Sequence, residues 1–231
     1  MEQDIQLQLE RAKELLRGLE ETCNNDLQAR DVSGKTRNLS QEVLLKVKHL
    51  LDQVFYRFFE KHYLPNLSDS DRKAARVYFP TVSKKEDLKS VLGRAKMGDL
   101  EIRHPNFYTF IDSIQPYNQD YLWLGYLARY SSEKHMRLTP QTKMEIKKVT
   151  VSRGGGSVSW GPGVTFGRGV SVMGVPIDPK TQMPIPNNVV ETKVEKWVAF
   201  LFEGSDVNVL GLCKKSVDDG ERIIKKVLRD Q

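Results

Sequence analysis

The sequence predicts an α+β protein: a mainly helical N-terminal bundle over residues 1–146, then a small antiparallel β-rich domain over 147–231 closed by a C-terminal helix. Three observations carry this expectation. Apolar residues recur at three- and four-residue spacing up to about residue 147. Beyond that point, half of the 16 glycines fall between Gly154 and Gly174, among short segments that alternate apolar with small or polar residues. The chain then returns to helical spacing at Ile223, Ile224, Val227 and Leu228.

Residues 3–22 read as a first helix, with Ile5, Leu9, Leu15, Leu16 and Leu19 on its apolar stripe. The polar stretch "NNDLQARDVSGKTRN" reads as a loop. Ser40 is placed to cap a second helix running to about Tyr63, whose inward face is Val43, Leu44, Val47, Leu50, Leu51, Val54, Phe55, Phe58 and Phe59. So wide an apolar band marks a central helix, and Pro65 stops it. "LSDSDRKAARVYFP" reads as a capped turn or short helix leading into an extended link. Helices follow over 84–96 and 105–115, the latter with Pro105 in its first turn. "QPYNQD" breaks the pattern, and a further helix is expected from about Asp120 to Leu138.

In the second part, "VTV", "SVSW", "GVTF" and "VSVM" read as short paired strands between glycine turns. "VPIDPKTQMPIPNN" holds four prolines and reads as a loop. "VVETKVEKWVAFLFEG" reads as the strongest strand, alternating at first and continuously apolar from Trp197 to Phe202. Asp218 and Asp219 place negative charge at the start of the closing helix.

With 39% apolar and 29% charged residues among 231, the chain has the composition of an ordinary soluble globular protein. Its longest apolar run is six residues, against about 20 needed to span a bilayer. The charged N-terminal segment lacks the apolar centre of a signal peptide. A cytoplasmic protein without membrane contact is therefore expected. Cys23 and Cys213 have no redox or metal spacing and are expected to stay reduced.

Net charge is +6, which favours polyanionic partners. Much of the excess sits in one strip: Lys134, Arg137, Lys143, Lys147, Lys148 and Arg153, against the single acid Glu145. These six are the candidate nucleic-acid-binding residues, and a solvated face is their simpler reading.

No phosphate-cradling glycine motif and no histidine pair at helical spacing is present, so neither a cofactor nor a metal is expected. "RGGGSVSWGPGVTFGRG" interleaves Arg153, Trp160, Phe166 and Arg168 with glycine. It fits a stacking platform for single-stranded nucleic acid, or a hairpin whose aromatic residues face the core.

"LARYSSEKHMRLTP" places Arg129 six positions before His135. The longer stretch "QPYNQDYLWLGYLARYSSEKHMRL" resembles bacterial proteins of unknown function in which Pro-Tyr, Leu-Trp and Lys-His follow one another in a helical domain. Its end also resembles the R-x(4–6)-H signature of the HEPN superfamily of helical-bundle ribonucleases and nucleotide-binding proteins, over roughly residues 40–140. Tyr130 stands where active members commonly carry a polar residue.

The resemblance implies metal-independent RNA cleavage, with Arg129 and His135 as catalytic residues. His135 would move the proton of the ribose 2′-hydroxyl or leaving oxygen, and Arg129 would hold the phosphate. On a regular helix the two side chains would stand about 120° and ~9 Å apart, so cleavage requires the helix to bend or end between them, or a homodimer to join two copies. Two expectations stand side by side: a non-catalytic module binding nucleic acid (RNA) or an acidic protein partner, and an endoribonuclease of toxin or defence type.

Overall fold

The computed structural model describes residues 2–29, 32–133, 137–140, 145–161, 163–197 and 200–230. The chain is α+β, and its helices are α1 (Glu2–Ala29), α2 (Gly34–His62), α3 (Asp69–Ala74), α4 (Lys85–Arg94), α5 (Leu100–Arg103), α6 (Pro105–Ser113), α7 (Leu122–Ser131) and α8 (Val209–Arg229). Its strands are β1 (Leu138–Pro140), β2 (Glu145–Arg153), β3 (Gly156–Trp160), β4 (Ser171–Val172), β5 (Val175–Asp178), β6 (Met183–Pro184), β7 (Glu191–Trp197) and β8 (Phe200–Phe202).

Helix α1 runs seven residues past its expected end at residue 22. Thr22, Cys23 and Asp26 continue its buried face, a stripe that apolar residues alone do not reveal. Helix α2 begins about two turns earlier than expected, at Gly34. Its cap is Ser33, whose hydroxyl accepts from Thr36 N at 3.2 Å, while the Asp26 carboxylate accepts from Ser33 N at 2.8 Å. Ser40, the expected cap, is buried inside the helix and donates to the Thr36 carbonyl at 2.7 Å. All nine expected core residues of α2 are buried.

The chain divides into two compact units, 1–139 with 200–231, and 140–199. The β-rich unit is thus inserted between α7 and α8, with β1 and β8 paired where the chain leaves and returns. The expected boundary at 146/147 lies inside the inserted unit, and the last helix does not belong to the β-rich part. Instead, Val209, Leu212, Cys213, Val217, Ile223, Ile224 and Val227 of α8 bury into the same core as α1 and α2. Burying such a stripe is worth about 1.5–3 kcal/mol per large side chain, before entropy.

Lys13 meets Glu221 at 3.0 Å and Lys214 meets Glu20 at 2.6 Å, which sets α1 and α8 antiparallel. Close approach of α8 to α2 depends on Gly220, where a Cβ would come within 2.9 Å of Val47 Cγ1.

In the β-rich unit, β2 is central to an antiparallel sheet of order β3-β2-β7, and β4-β5-β6 form a second. Val149, Val151, Trp160 and Ile177 form a separate small core. Thr150 and Ser159 face each other with hydroxyls 2.9 Å apart, so the opposite face of this hairpin is polar. The expected proline-rich loop contains β5 and β6. Pro176 joins the ladder through its carbonyl, which accepts from Ile185 N at 2.9 Å. The strand expected through Phe202 is divided between two sheets: β7 pairs with β2, and β8 with β1.

Candidate nucleic-acid interface

Arg129 lies in the last turn of α7, where a cation complements the helix dipole. It is exposed, and its guanidinium carbon stands 5.1 Å from the centre of the Tyr130 ring. Tyr130 is only 1% exposed and lies flat on Phe202 of β8, ring centroids 3.8 Å apart. Tyr130 is therefore a core residue that holds its neighbour's guanidinium against an aromatic face. Among the described residues, no carboxylate lies within ion-pair distance of Arg129.

The helix expected to reach Leu138 ends at Ser131. Serine hydroxyls take over its last carbonyls: Ser131 donates to Ala128 O at 3.4 Å, and Ser132 to Ala128 O at 3.1 Å and Arg129 O at 2.9 Å. Gln41 of α2 then donates to the Glu133 carbonyl at 3.1 Å, fixing the outgoing chain. The 120° separation imposed by a continuous helix no longer applies to Arg129 and His135. His135 itself lies outside the described residues, as do Lys134 and Lys143.

The rest of the basic strip is divided between the two units. Arg137 belongs to the helical unit, where its carbonyl accepts from Glu203 N at 3.0 Å and its guanidinium meets the Glu203 carboxylate at 3.8 Å. Lys148 and Arg153 belong to the β-rich unit, and both are exposed. Lys148 stands opposite Glu195 in register, next to a ladder irregularity that contains Lys147, whose side chain is outside those described. Arg153 donates to the Met173 carbonyl at 3.4 Å.

The glycine-rich stretch is a hairpin and a loop rather than a stacking platform. Trp160 is buried, donates its indole N–H to Gln182 O at 3.2 Å, and meets Phe166 edge-on at 5.1 Å. Gln182 also accepts from Phe166 N at 2.6 Å.

Although the sequence holds no histidine pair at helical spacing, the rings of His62 and His104 lie 4.7 Å apart, both packed on Phe58. Burial first, and the adjacent Arg103 guanidinium second, hold His104 below the ordinary histidine value. Burial first, and then the Asp99 charge, push the neighbouring Tyr63 up to about 12. No spacing rule could have found this pair, because His62 at the end of α2 and His104 between α5 and α6 meet only in the folded chain. Among the described residues, no group of three or more His, Cys, Asp or Glu is placed to hold a metal ion. No described helix is long and apolar enough to cross a membrane.

Protein-family models, curated proteins and solved structures were each compared with the chain, and none matches it.

Proposed function

We propose that the chain is a non-catalytic binding protein for a polyanion, nucleic acid in the first place and an acidic protein surface in the second. Arg129 carries the reading. It is exposed, has no carboxylate beside it among the described residues, and is backed by the buried Tyr130 ring. A guanidinium so placed can offer its planar fork to a phosphate without first breaking an ion pair.

The test is fluorescence anisotropy with a labelled single-stranded RNA. Arg129→Ala should weaken binding and flatten the dependence of log K on log salt by ~0.7 for the lost phosphate contact. Arg137→Ala should change affinity less, since Arg137 is engaged with Glu203. Equal affinity for wild type and Arg129→Ala would exclude a contact through this residue.

A second reading, metal-independent endoribonuclease activity in a homodimer, is favoured by one observation: α7 ends at Ser131, between Arg129 and His135. RNA incubated with wild type in EDTA should then be cut, and His135→Ala should leave it intact. Intact RNA in both lanes would leave His135 without a catalytic role.

A further inference from the structure

We propose that the helical unit carries a second nucleic-acid contact, a face formed by Lys73, Arg76, Tyr78 and Arg94 that takes single-stranded nucleic acid. It lies apart in sequence from Arg129 and from the 134–153 strip, and does not depend on either.

The segment after α3 forms neither helix nor strand, and its exposure alternates: Arg76 and Tyr78 are exposed, whereas Val77 is half-buried and Phe79 buried. Alternation of this kind puts Arg76 and Tyr78 on one side of the segment, ~6.5 Å apart along it. Arg76 N donates to the Arg94 carbonyl at 3.0 Å, which brings the end of α4 beside Arg76. The turn after α4 is closed by Lys96, which holds a positive φ of 60° and places its ammonium 2.8 Å from Asp71 of α3.

Charge on this face is uneven. Asp52, Asp69 and Asp71 are engaged by Lys48, Arg72 and Lys96 respectively. Lys73, Arg76 and Arg94 are exposed, and none of them has a carboxylate within ion-pair distance among the described residues. Three uncompensated cations on connected backbone segments are the electrostatic complement of a phosphate chain.

Tyr78 makes the surface more than a solvated charge cluster. The residue is 61% exposed, with the Lys48 ammonium over the ring, 5.9 Å from its centre. The backbone beneath is fixed, because the Asp52 carboxylate accepts from Phe79 N at 2.8 Å and Phe79 and Pro80 are buried. An exposed aromatic ring on a fixed backbone, with arginines on the same and the adjoining segment, can stack an unpaired nucleobase while the arginines hold its phosphates. A duplex keeps its bases stacked inside and offers Tyr78 nothing. An acidic peptide would use the cations but not the ring.

The experiment is anisotropy titration of the full chain with fluorescein-labelled oligouridine, oligothymidine and duplex DNA, each of about 20 nucleotides so as to exceed one ~4–16-nucleotide site. Arg76→Glu/Arg94→Glu should weaken oligouridine binding at least tenfold and reduce the salt slope by about 1.4, two contacts at ~0.7 each. Tyr78→Ala should weaken it about tenfold with the slope unchanged, and Tyr78→Phe should retain it. Arg76→Lys/Arg94→Lys keeps the charge and should keep the slope. Equal single-strand binding by oligouridine and oligothymidine assigns the face to either nucleic acid; a preference for oligouridine assigns it to RNA.

No single-strand binding by wild type would overturn the proposal, as would binding unaffected by both the charge reversal and Tyr78→Ala. Tighter binding to duplex than to single strands, or binding only to polyglutamate, would do the same. Including Arg129→Ala separates the two surfaces: loss in Arg129→Ala alone supports the earlier site and sinks this one, and loss in Arg76→Glu/Arg94→Glu alone does the reverse.

Discussion

Tyr130 of α7 lies on Phe202 of β8 with ring planes 9° apart, so the residue that follows Arg129 is fastened to the strand by which the chain returns from the β-rich insertion. Its hydroxyl is buried and meets no hydrogen-bond partner among the described residues. Tyr130→Phe should therefore raise stability by about 1 kcal/mol, by removing an unsatisfied group while keeping the stack. Phe202→Ala should cost about 3–5 kcal/mol. Urea unfolding followed by tryptophan fluorescence measures both, and a destabilised Tyr130→Phe would mean that the hydroxyl has a partner.

Gly220 allows α8 to touch α2. Gly220→Ala gains about 1 kcal/mol of helix propensity but drives a methyl into Val47, at a cost of about 1–3 kcal/mol. The expected outcome is net destabilisation, largely relieved in Gly220→Ala/Val47→Ala because the second change removes the opposing methyl. A thermal melt of the two variants decides this. Additive losses would show that the helices do not meet there.

The depressed proton affinity of His104 has a definite sign in stability. The unfolded chain holds the proton more readily than the folded one, so stability is fully present above the unfolded value of ~6.5 and falls as pH drops through it. Urea midpoints at pH 7.5 and 5.5 should differ more for wild type than for His104→Gln. Equal differences would remove His104 from the account.

Both thiols are buried, and burial pushes Cys23 up to about 11 and raises Cys213 as well. Neither should react with a disulfide reagent at pH 8 faster than the protein opens, and both should react at once in guanidinium. A fast-reacting thiol in native protein would show that α1 or α8 moves locally.

The helical spacing of α2 was legible because burying an apolar stripe is a property of the stripe itself. The allegiance of α8 was not, since amphipathic spacing says that Val217 and Ile224 are buried but not against which element. The ends of α1 and α7 were misjudged for a related reason. Cys23 and Asp26 extend a buried face with polar atoms, and Ser131 and Ser132 stop a helix by local hydrogen bonds in a sequence that could have continued it. At the candidate site, Arg129 was singled out by standing six positions before His135. That the adjacent Tyr130 is a core ring was not legible, because its partner Phe202 lies 72 positions from Tyr130 and their stacking arises only on folding. Arg76 and Arg94 were missed likewise, since they meet through a backbone bond between segments that no linear charge count connects.

Insertion of residues 140–199 ahead of α8 also sets a timetable for the chain as it is made. The ribosome completes α1, α2 and α7 and must then add the whole inserted unit, roughly 3–12 s at about 5–20 residues per second, before the helix that completes their core exists. During that interval the apolar faces awaiting Leu212, Val217 and Ile224 are open to water, to chaperones and to other nascent chains. Production yield should therefore respond to translation speed and chaperone supply more than the stability of the finished protein would indicate.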